Sequence, residues 1–148
     1  MGHIVDVSLT PLKIISGDSG EVMHALKQPE DSFQGFGEAY FSTVNNGAVK
    51  GWKRHKRMLL NLIVPLGTIR FVLYDGRPDS KTYQSFQETT LSRENYKRLT
   101  VPPGIWMAFQ GIGGGENMLL NIASIPHDPN EADNLPLYND QIPYNGFA

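Results

Sequence analysis

The residues with the clearest chemical potential stand in a basic run at 50–57. Side chains two positions apart on a β-strand point to the same face. Lys53 and His55 should therefore share one face, with Lys50 and Arg54 on the other. A lysine buried near other cations loses basicity, and histidine titrates near neutral pH, so Lys53 and His55 could exchange protons with a bound molecule. The alternative is that both belong to a surface run that is either solvated or binds phosphate groups. We assign Lys50 and Arg54 to substrate binding.

Other kinds of chemistry have little support in the sequence. There is no cysteine, and the basic run supplies only one histidine, where a metal site of this kind would need two histidines one residue apart and a glutamate shortly after them. We expect no metal ion and no cofactor. The glycine-rich stretch 111–115 differs from a phosphate-binding loop because no helix pattern follows it.

Aromatic residues and one further histidine are candidates for contacts with a ligand. Trp106 and Trp52 could stack on a base or a sugar ring, since aromatic faces suit both. Each could equally belong to the core or to a subunit interface. His127 stands between two prolines, in a turn that could close over a pocket or simply stabilise the local backbone.

Short β-strands must position these residues. Fifteen glycines and ten prolines are spread along the chain and separate segments rich in β-branched and aromatic residues. This pattern predicts an all-β fold, closed as a barrel or jelly roll, in one domain spanning 1–148. One helical turn is predicted at 91–97, and an extended C-terminal tail after residue 126. The predicted strands are 4–9, 21–26, 37–43, 48–54, 58–64, 68–74, 83–89, 97–101, 105–110 and 117–124.

Charge and hydropathy limit the classes of partner. The chain has 13 basic and 15 acidic side chains, so no overall field attracts nucleic acid or an anionic membrane. No apolar stretch is long enough to span a bilayer, and the N-terminus lacks the pattern of a secretion signal. The absence of cysteine suits a reducing cytoplasm. We therefore expect a cytoplasmic protein with a small-molecule partner.

The order of motifs from Glu38 to Phe147 resembles that of the deoxythymidine-diphosphate-4-keto-6-deoxyhexose 3,5-epimerase family, the RmlC-like cupins. The most specific match is Leu-Ser-Arg-Glu-Asn at 91–95, followed by Val-Pro-Pro-Gly at 101–104. The other matching segments are 48–52, the Leu-Gly turn at 66–67, 74–77 and 137–140.

This resemblance implies a cupin-type antiparallel β-barrel or jelly roll that forms a homodimer. It also implies a pocket at the barrel mouth for a nucleotide sugar. Glu38 and Tyr40 correspond by spacing to the family's nucleotide contacts. Asp140 matches an acidic turn that could orient a pocket base, or could be a simple tail turn. We assign Tyr138, in the same turn, to substrate binding, together with Trp106.

The chain departs from the family at three positions that carry its chemistry. Lys53 and Met107 stand where the family places histidines, and Leu120 stands where it places a tyrosine acid. Catalysis would then fall to Lys53 and His55, with Asp140 in support. We expect a nucleotide-sugar epimerase or isomerase of surface polysaccharide or O-antigen biosynthesis. The alternative is a catalytically inactive cupin that binds a nucleotide sugar or a glycan.

Overall fold

The computed structural model describes residues 2–147, which form twelve β-strands. The predicted all-β class is confirmed, and most predicted strands lie within a few residues of observed ones. The strands are β1 (Ser8–Pro11), β2 (Ile14–Gly17), β3 (Gly20–Met23), β4 (Glu38–Thr43), β5 (Val49–His55), β6 (Leu60–Leu66), β7 (Ile69–Asp75), β8 (Phe86–Leu91), β9 (Lys97–Val101), β10 (Ile105–Gly111), β11 (Met118–Ala123) and β12 (Ala132–Asn134).

The helical turn predicted at 91–97 is wrong. Leu91 ends β8 and Lys97 begins β9, so the connection has room only for a tight turn. The Ser92 hydroxyl accepts a hydrogen bond from the backbone N–H of Asn95 at 3.2 Å. This is the bond that a helix cap would make, but here it closes a turn between two strands. No helix in residues 2–147 is long and apolar enough to cross a membrane.

Ten of the strands form two antiparallel sheets of five strands each. Sheet I has the order β1-β9-β6-β11-β4, and sheet II has the order β12-β5-β10-β7-β8. Strands β2 and β3 form a separate hairpin. Within residues 2–147 the two sheets are not joined into one hydrogen-bonded ring, so the architecture is a jelly roll of two facing sheets rather than a closed barrel.

The main core lies between the two sheets. Leu62 and Leu99 of sheet I and Phe71 of sheet II are completely buried there. Burial of a side chain of this size stabilises the folded state by about 1.5–3 kcal/mol. Strand alternation aims every second residue of β6, β7 and β10 into this core, which fixes the register of both sheets.

A second apolar cluster covers the outer face of sheet II. Trp52 and Trp106 are almost fully buried and pack with Ile142, Tyr144 and Phe147 from the C-terminal segment. The indole N–H of Trp52 donates to the carbonyl of Leu137 at 3.0 Å. The C-terminal residues therefore form an extended tail, as predicted, and the tail shields one face of the sheet.

Candidate active site

A cavity of about 490 Å³ lies between sheet I and sheet II. Its apolar part is continuous with the core and includes Leu60, Val101 and Ile105. Its polar part is lined by side chains of β4 and β11 on one wall and of β5 on the other. This volume and this mixture of surfaces are typical of small-molecule sites.

A β-bulge in β5 brings Lys50 onto the same cavity wall as Lys53 and His55. Lys53 is opposite Met107 of β10, but the next paired residues are Lys50 and Phe109, so β5 holds one extra residue in between. The extra residue reverses the alternation of the strand. Lys50 consequently lines the cavity together with Lys53 and His55. Strict alternation had predicted Lys50 on the opposite face, and that prediction is wrong.

His55 is held by a buried carboxylate. Its Nδ1 lies 2.5 Å from Oε1 of Glu131, whose side chain is 2% exposed. The second oxygen of Glu131 accepts backbone N–H bonds from Arg57 at 2.9 Å and Met58 at 2.8 Å. Burial by itself would raise the pKa of Glu131, but these hydrogen bonds outweigh it and lower the pKa to about 2.

The ionised carboxylate determines which nitrogen of His55 is available. A carboxylate can only accept hydrogen bonds, so Nδ1 of His55 must carry the proton that Glu131 accepts. In neutral His55 the other nitrogen, Nε2, then has a free lone pair. Because His55 lines the cavity, a molecule bound there would lie beside this imidazole.

The sheet I wall carries neutral and acidic groups. Glu38, Tyr40 and Ser42 alternate along β4 and all line the cavity. Asn121 of β11 is the register partner of Tyr40, and its amide donates to the Ser42 hydroxyl at 3.2 Å. Partial burial and the negative charge of Glu38 raise the pKa of Tyr40.

The turn that contains His127 contributes to the rim of the cavity. The backbone N–H of His127 donates to the carboxylate of Glu38, which joins this turn to the start of β4. The turn passes directly over Gly37, where an added Cβ would overlap the carbonyl carbon of Ile125. A glycine is therefore required at position 37 for the turn to pack this closely.

The arrangement can be compared with proteins already characterised. No protein-family profile matches the chain. The crystal structure of a dTDP sugar isomerase from Desulfovibrio desulfuricans superposes with a TM-score of 0.92 at 37% identity, over 96% of this chain and 91% of that one. This chain belongs to the RmlC-like family of dTDP-sugar epimerases and isomerases.

More distant members of the RmlC-like family extend the comparison. A Haloferax volcanii protein named as a probable low-salt glycan biosynthesis epimerase is 26% identical over 97% of this chain and 90% of its own length. The dTDP-4-dehydrorhamnose 3,5-epimerase of Bacillus anthracis, 17% identical, shares the fold with a TM-score of 0.82 over 96% of this chain and 88% of its own. The predicted cupin jelly roll is therefore confirmed.

Five of the predicted site residues meet at the cavity in this RmlC-like chain. They are Lys53, His55, Glu38, Tyr40 and Lys50. Their shared location agrees with the expectation that positions 53 and 55 point into a hollow between strands. Within residues 2–147, no group of three His, Cys, Asp or Glu side chains is arranged to hold a metal ion.

Two predicted substrate contacts lie on the outer face of sheet II instead. The guanidinium of Arg54 lies 4.5 Å from the ring centroid of Trp106 and 2.8 Å from the Asp133 carboxylate. Trp106 is 2% exposed and belongs to the second apolar cluster. Neither side chain lines the cavity, because alternation on β5 and β10 turns both toward the C-terminal tail.

The turn at 138–140 is also outside the cavity. Tyr138 is 58% exposed and Asp140 is exposed beside it. The carboxylate beside the pocket histidine is Glu131, not Asp140. The physical reason is strand pairing. Strand β12 runs antiparallel to β5 with Ala132 opposite His55, so the residue before it, Glu131, lies beside the imidazole.

Sequence reasoning missed two polar residues of this region. Glu131 lies 76 positions from its partner His55 in the sequence, and a local sequence pattern does not predict a contact at that separation. Asn121 could have been found, since it lies midway between Leu119 and Ala123, which are both buried on the inner face of β11. Leu120, placed at the family's tyrosine position by spacing, is on the opposite face of that strand.

Proposed function

We propose that this protein is a nucleotide-sugar epimerase or isomerase that acts on a 4-keto-6-deoxyhexose joined to a nucleoside diphosphate. The Desulfovibrio relative, at 37% identity, is a dTDP sugar isomerase, and the Haloferax relative is named as an epimerase of glycan biosynthesis. The observation that carries the proposal is the imidazole of His55, held by Glu131 at 2.5 Å and lining a cavity of suitable size.

The reaction begins with proton removal from a carbon beside the ketone. Nε2 of His55 takes the proton, and the electron pair of the C–H bond moves to form an enolate. The ammonium of Lys53, two residues away on the same wall, stabilises the negative charge on the enolate oxygen. Since protons are exchanged without net electron transfer, the chemistry requires no redox cofactor.

The nucleotide portion of the substrate extends toward the polar mouth of the cavity. Lys50 offers a charge-assisted contact to a phosphate oxygen. Glu38 and Tyr40, at the family's nucleotide-contact positions by spacing, lie on the opposite wall. The apolar surface around Leu60 and Ile105 suits the methyl group of a 6-deoxy sugar.

Deuterium exchange tests this function directly. The protein is incubated in deuterated water with several dTDP-4-keto-6-deoxyhexoses, and NMR is used to detect label at C3 or C5. We expect wild-type exchange, and a rate lower by about 10²–10⁴-fold in His55→Gln. His24→Gln, outside the cavity, is the control and should exchange normally. Absence of exchange in wild-type protein that binds these sugars would exclude the enzymatic function.

A binding protein without catalysis is the second candidate. Met107 contributes an apolar side chain to the cavity where the family's histidine was expected. Apolar side chains at such positions stabilise the fold while removing a proton carrier. Binding of dTDP measured by calorimetry, with no label incorporated from any ketosugar, would favour this candidate.

The biological setting follows from the relatives and from the composition. We propose a role in surface polysaccharide biosynthesis, including lipopolysaccharide O-antigen, in the cytoplasm, and a homodimeric assembly as the family resemblance implies. Sedimentation equilibrium would show a mass near 33 kDa, twice the chain mass of 16.5 kDa, if the dimer forms.

A further inference from the structure

We propose that Asn145, in the C-terminal tail, is a site of spontaneous covalent modification. Its side-chain amide is lost, and the residue becomes aspartate or isoaspartate. The reaction needs only water, and it is independent of the function proposed above. It follows from a packing requirement of the tail, which places a glycine directly after this asparagine.

Two asparagines of the chain are followed by glycine, Asn46 in the turn before β5 and Asn145 in the tail. A residue without a Cβ leaves its backbone nitrogen open to attack the preceding side chain, and glycine gives the backbone the widest choice of conformations. Ring closure between neighbouring residues is therefore easiest at such pairs. Because both pairs have the same local chemistry, a difference between them must arise from the folded structure.

The folded tail requires a glycine at position 146. A Cβ added there would overlap the hydroxyl and the ring of Tyr144. The Gly146 carbonyl accepts a hydrogen bond from Arg70 at 3.1 Å, and Arg70 also donates to the Tyr144 hydroxyl. Tyr144 and Phe147 are buried in the cluster on the outer face of sheet II. The contacts that fasten the tail thus keep position 146 free of a side chain.

Asn46 is protected by its hydrogen bonds. Its side-chain amide donates to the carbonyl of Ile112 at 2.9 Å and to that of Gly113 at 3.1 Å. The backbone N–H of Gly47, whose nitrogen would have to attack, donates to the Gly111 carbonyl at 2.8 Å. Ring closure at this pair therefore requires local opening of the turn.

Asn145 is not held in this way. Its side chain is exposed, and so is Gly146. Within residues 2–147, the Asn145 amide and the Gly146 N–H have no hydrogen-bond partner. The side chain can therefore rotate toward the Gly146 nitrogen without breaking a hydrogen bond of the described chain.

The reaction balances with water as the only co-reactant. The Gly146 nitrogen forms a bond to Cγ of Asn145, its proton passes through water to the departing amide, and ammonia leaves. The product is a five-membered succinimide ring. Water then opens the ring at one of its two carbonyls, which gives either aspartate or isoaspartate at position 145.

Both products disturb the anchoring of the tail. Each adds a negative charge, and isoaspartate also lengthens the main chain by one carbon between Tyr144 and Phe147. The rings of these two residues lie edge-on to Trp52, with centroid distances of 6.1 and 6.2 Å. A longer main chain shifts at least one ring from this contact. The modified protein should therefore be less stable than the fresh protein.

Ageing of the purified full chain tests the proposal. Wild type and Asn145→Gln are kept folded at mildly alkaline pH and followed by peptide mass spectrometry, isoaspartate detection and thermal unfolding. We expect Asn145 to react at least about tenfold faster than Asn46, whose hydrogen bonds must first be broken. Aged wild type should melt several degrees below fresh wild type. Asn145→Gln should keep its melting temperature, since glutamine would have to form a slower six-membered ring.

The same samples in denaturant provide the reference, because both asparagines should react there at similar rates. Equal rates at Asn46 and Asn145 in the folded protein would overturn the proposal, since the hydrogen bonds would then give no protection. Absence of reaction at Asn145 in the folded protein, while both sites react in denaturant, would show that the tail prevents ring closure. An unchanged melting temperature of fully modified protein would refute the effect on the tail.

Discussion

At the scale of single residues, the hydrogen-bond partner distinguishes two buried carboxylates of this protein. Asp75 and Glu131 are both buried. Asp75 accepts hydrogen bonds from Arg77, Ser80 and Thr82, which lie outside the cavity. Burial by itself would raise the pKa of Asp75, but these hydrogen bonds outweigh it and lower the pKa. One carboxylate oxygen of Glu131 instead accepts a hydrogen bond from His55. The difference lies in the partner: only the second carboxylate touches a titratable side chain that faces a cavity.

The hydrogen bonds accepted by Glu131 predict a dependence of stability on pH. The pKa of Glu131 is about 2 in the folded protein against 4.5 for a free side chain, so folding is favoured by about 3 kcal/mol above pH 5. The contribution should disappear as the pH falls from 5 toward 2. Urea unfolding of wild type and Glu131→Gln should therefore differ at pH 7 and converge near pH 2. Glu116→Gln, at an exposed position, is the control and should differ little from wild type at either pH.

At the scale of elements, one β-bulge decides which cations face the cavity. Regular alternation would group Lys50 with Trp52 and Arg54 on the outer face of sheet II. The extra residue between positions 50 and 53 returns Lys50 to the inner face and keeps Trp52 under the tail. Only three residues of chain thus separate a cavity lysine, Lys50, from an outer-face arginine, Arg54.

Lys50→Ala and Arg54→Ala form a matched pair for this geometry. Lys50→Ala should weaken dTDP binding by about tenfold, because a charge-assisted contact to phosphate is lost. Arg54→Ala should leave the affinity within twofold and instead lower stability modestly, since Arg54 covers Trp106 and pairs with Asp133. Titration calorimetry and thermal unfolding measure the two effects. Equal loss of affinity in both variants would contradict the observed faces.

At the scale of the whole molecule, the C-terminal tail completes the sandwich. The outer face of sheet II carries Trp52 and Trp106, which would otherwise expose a large apolar surface to water. Ile142, Tyr144 and Phe147 cover this face, and Arg70 donates to the Tyr144 hydroxyl and the Gly146 carbonyl to fasten the tail. The tail therefore contributes to the stability of the strands that carry the cavity.

Truncation of one tail side chain should reveal that contribution. Ile142 is 1% exposed, so Ile142→Ala should cost about 2–4 kcal/mol in the free energy of unfolding. Ile112→Ala is the control at a position 43% exposed and should change the same quantity by less than about 0.5 kcal/mol. Urea denaturation measures both. A cost near zero for Ile142→Ala would mean that the tail is not part of the cooperative fold.

Local pattern was sufficient for the fold class and for part of the site. Alternating apolar residues between turn signals located the strands, and the two-residue spacing correctly set Lys53 and His55 on one face. The segment 91–97 was misread as helical because a serine that closes a turn resembles a helix cap. Motif order was enough to identify the RmlC-like family.

Tertiary structure decided which side chains meet at the cavity. The bulge that turns Lys50 inward depends on pairing between β5 and β10, and the contact of Glu131 with His55 depends on pairing of β12 with β5. Both are contacts between residues far apart in the chain, which a local pattern does not encode. The sequence by itself determined which residues could carry protons, while the sheet pairings determined which of them meet.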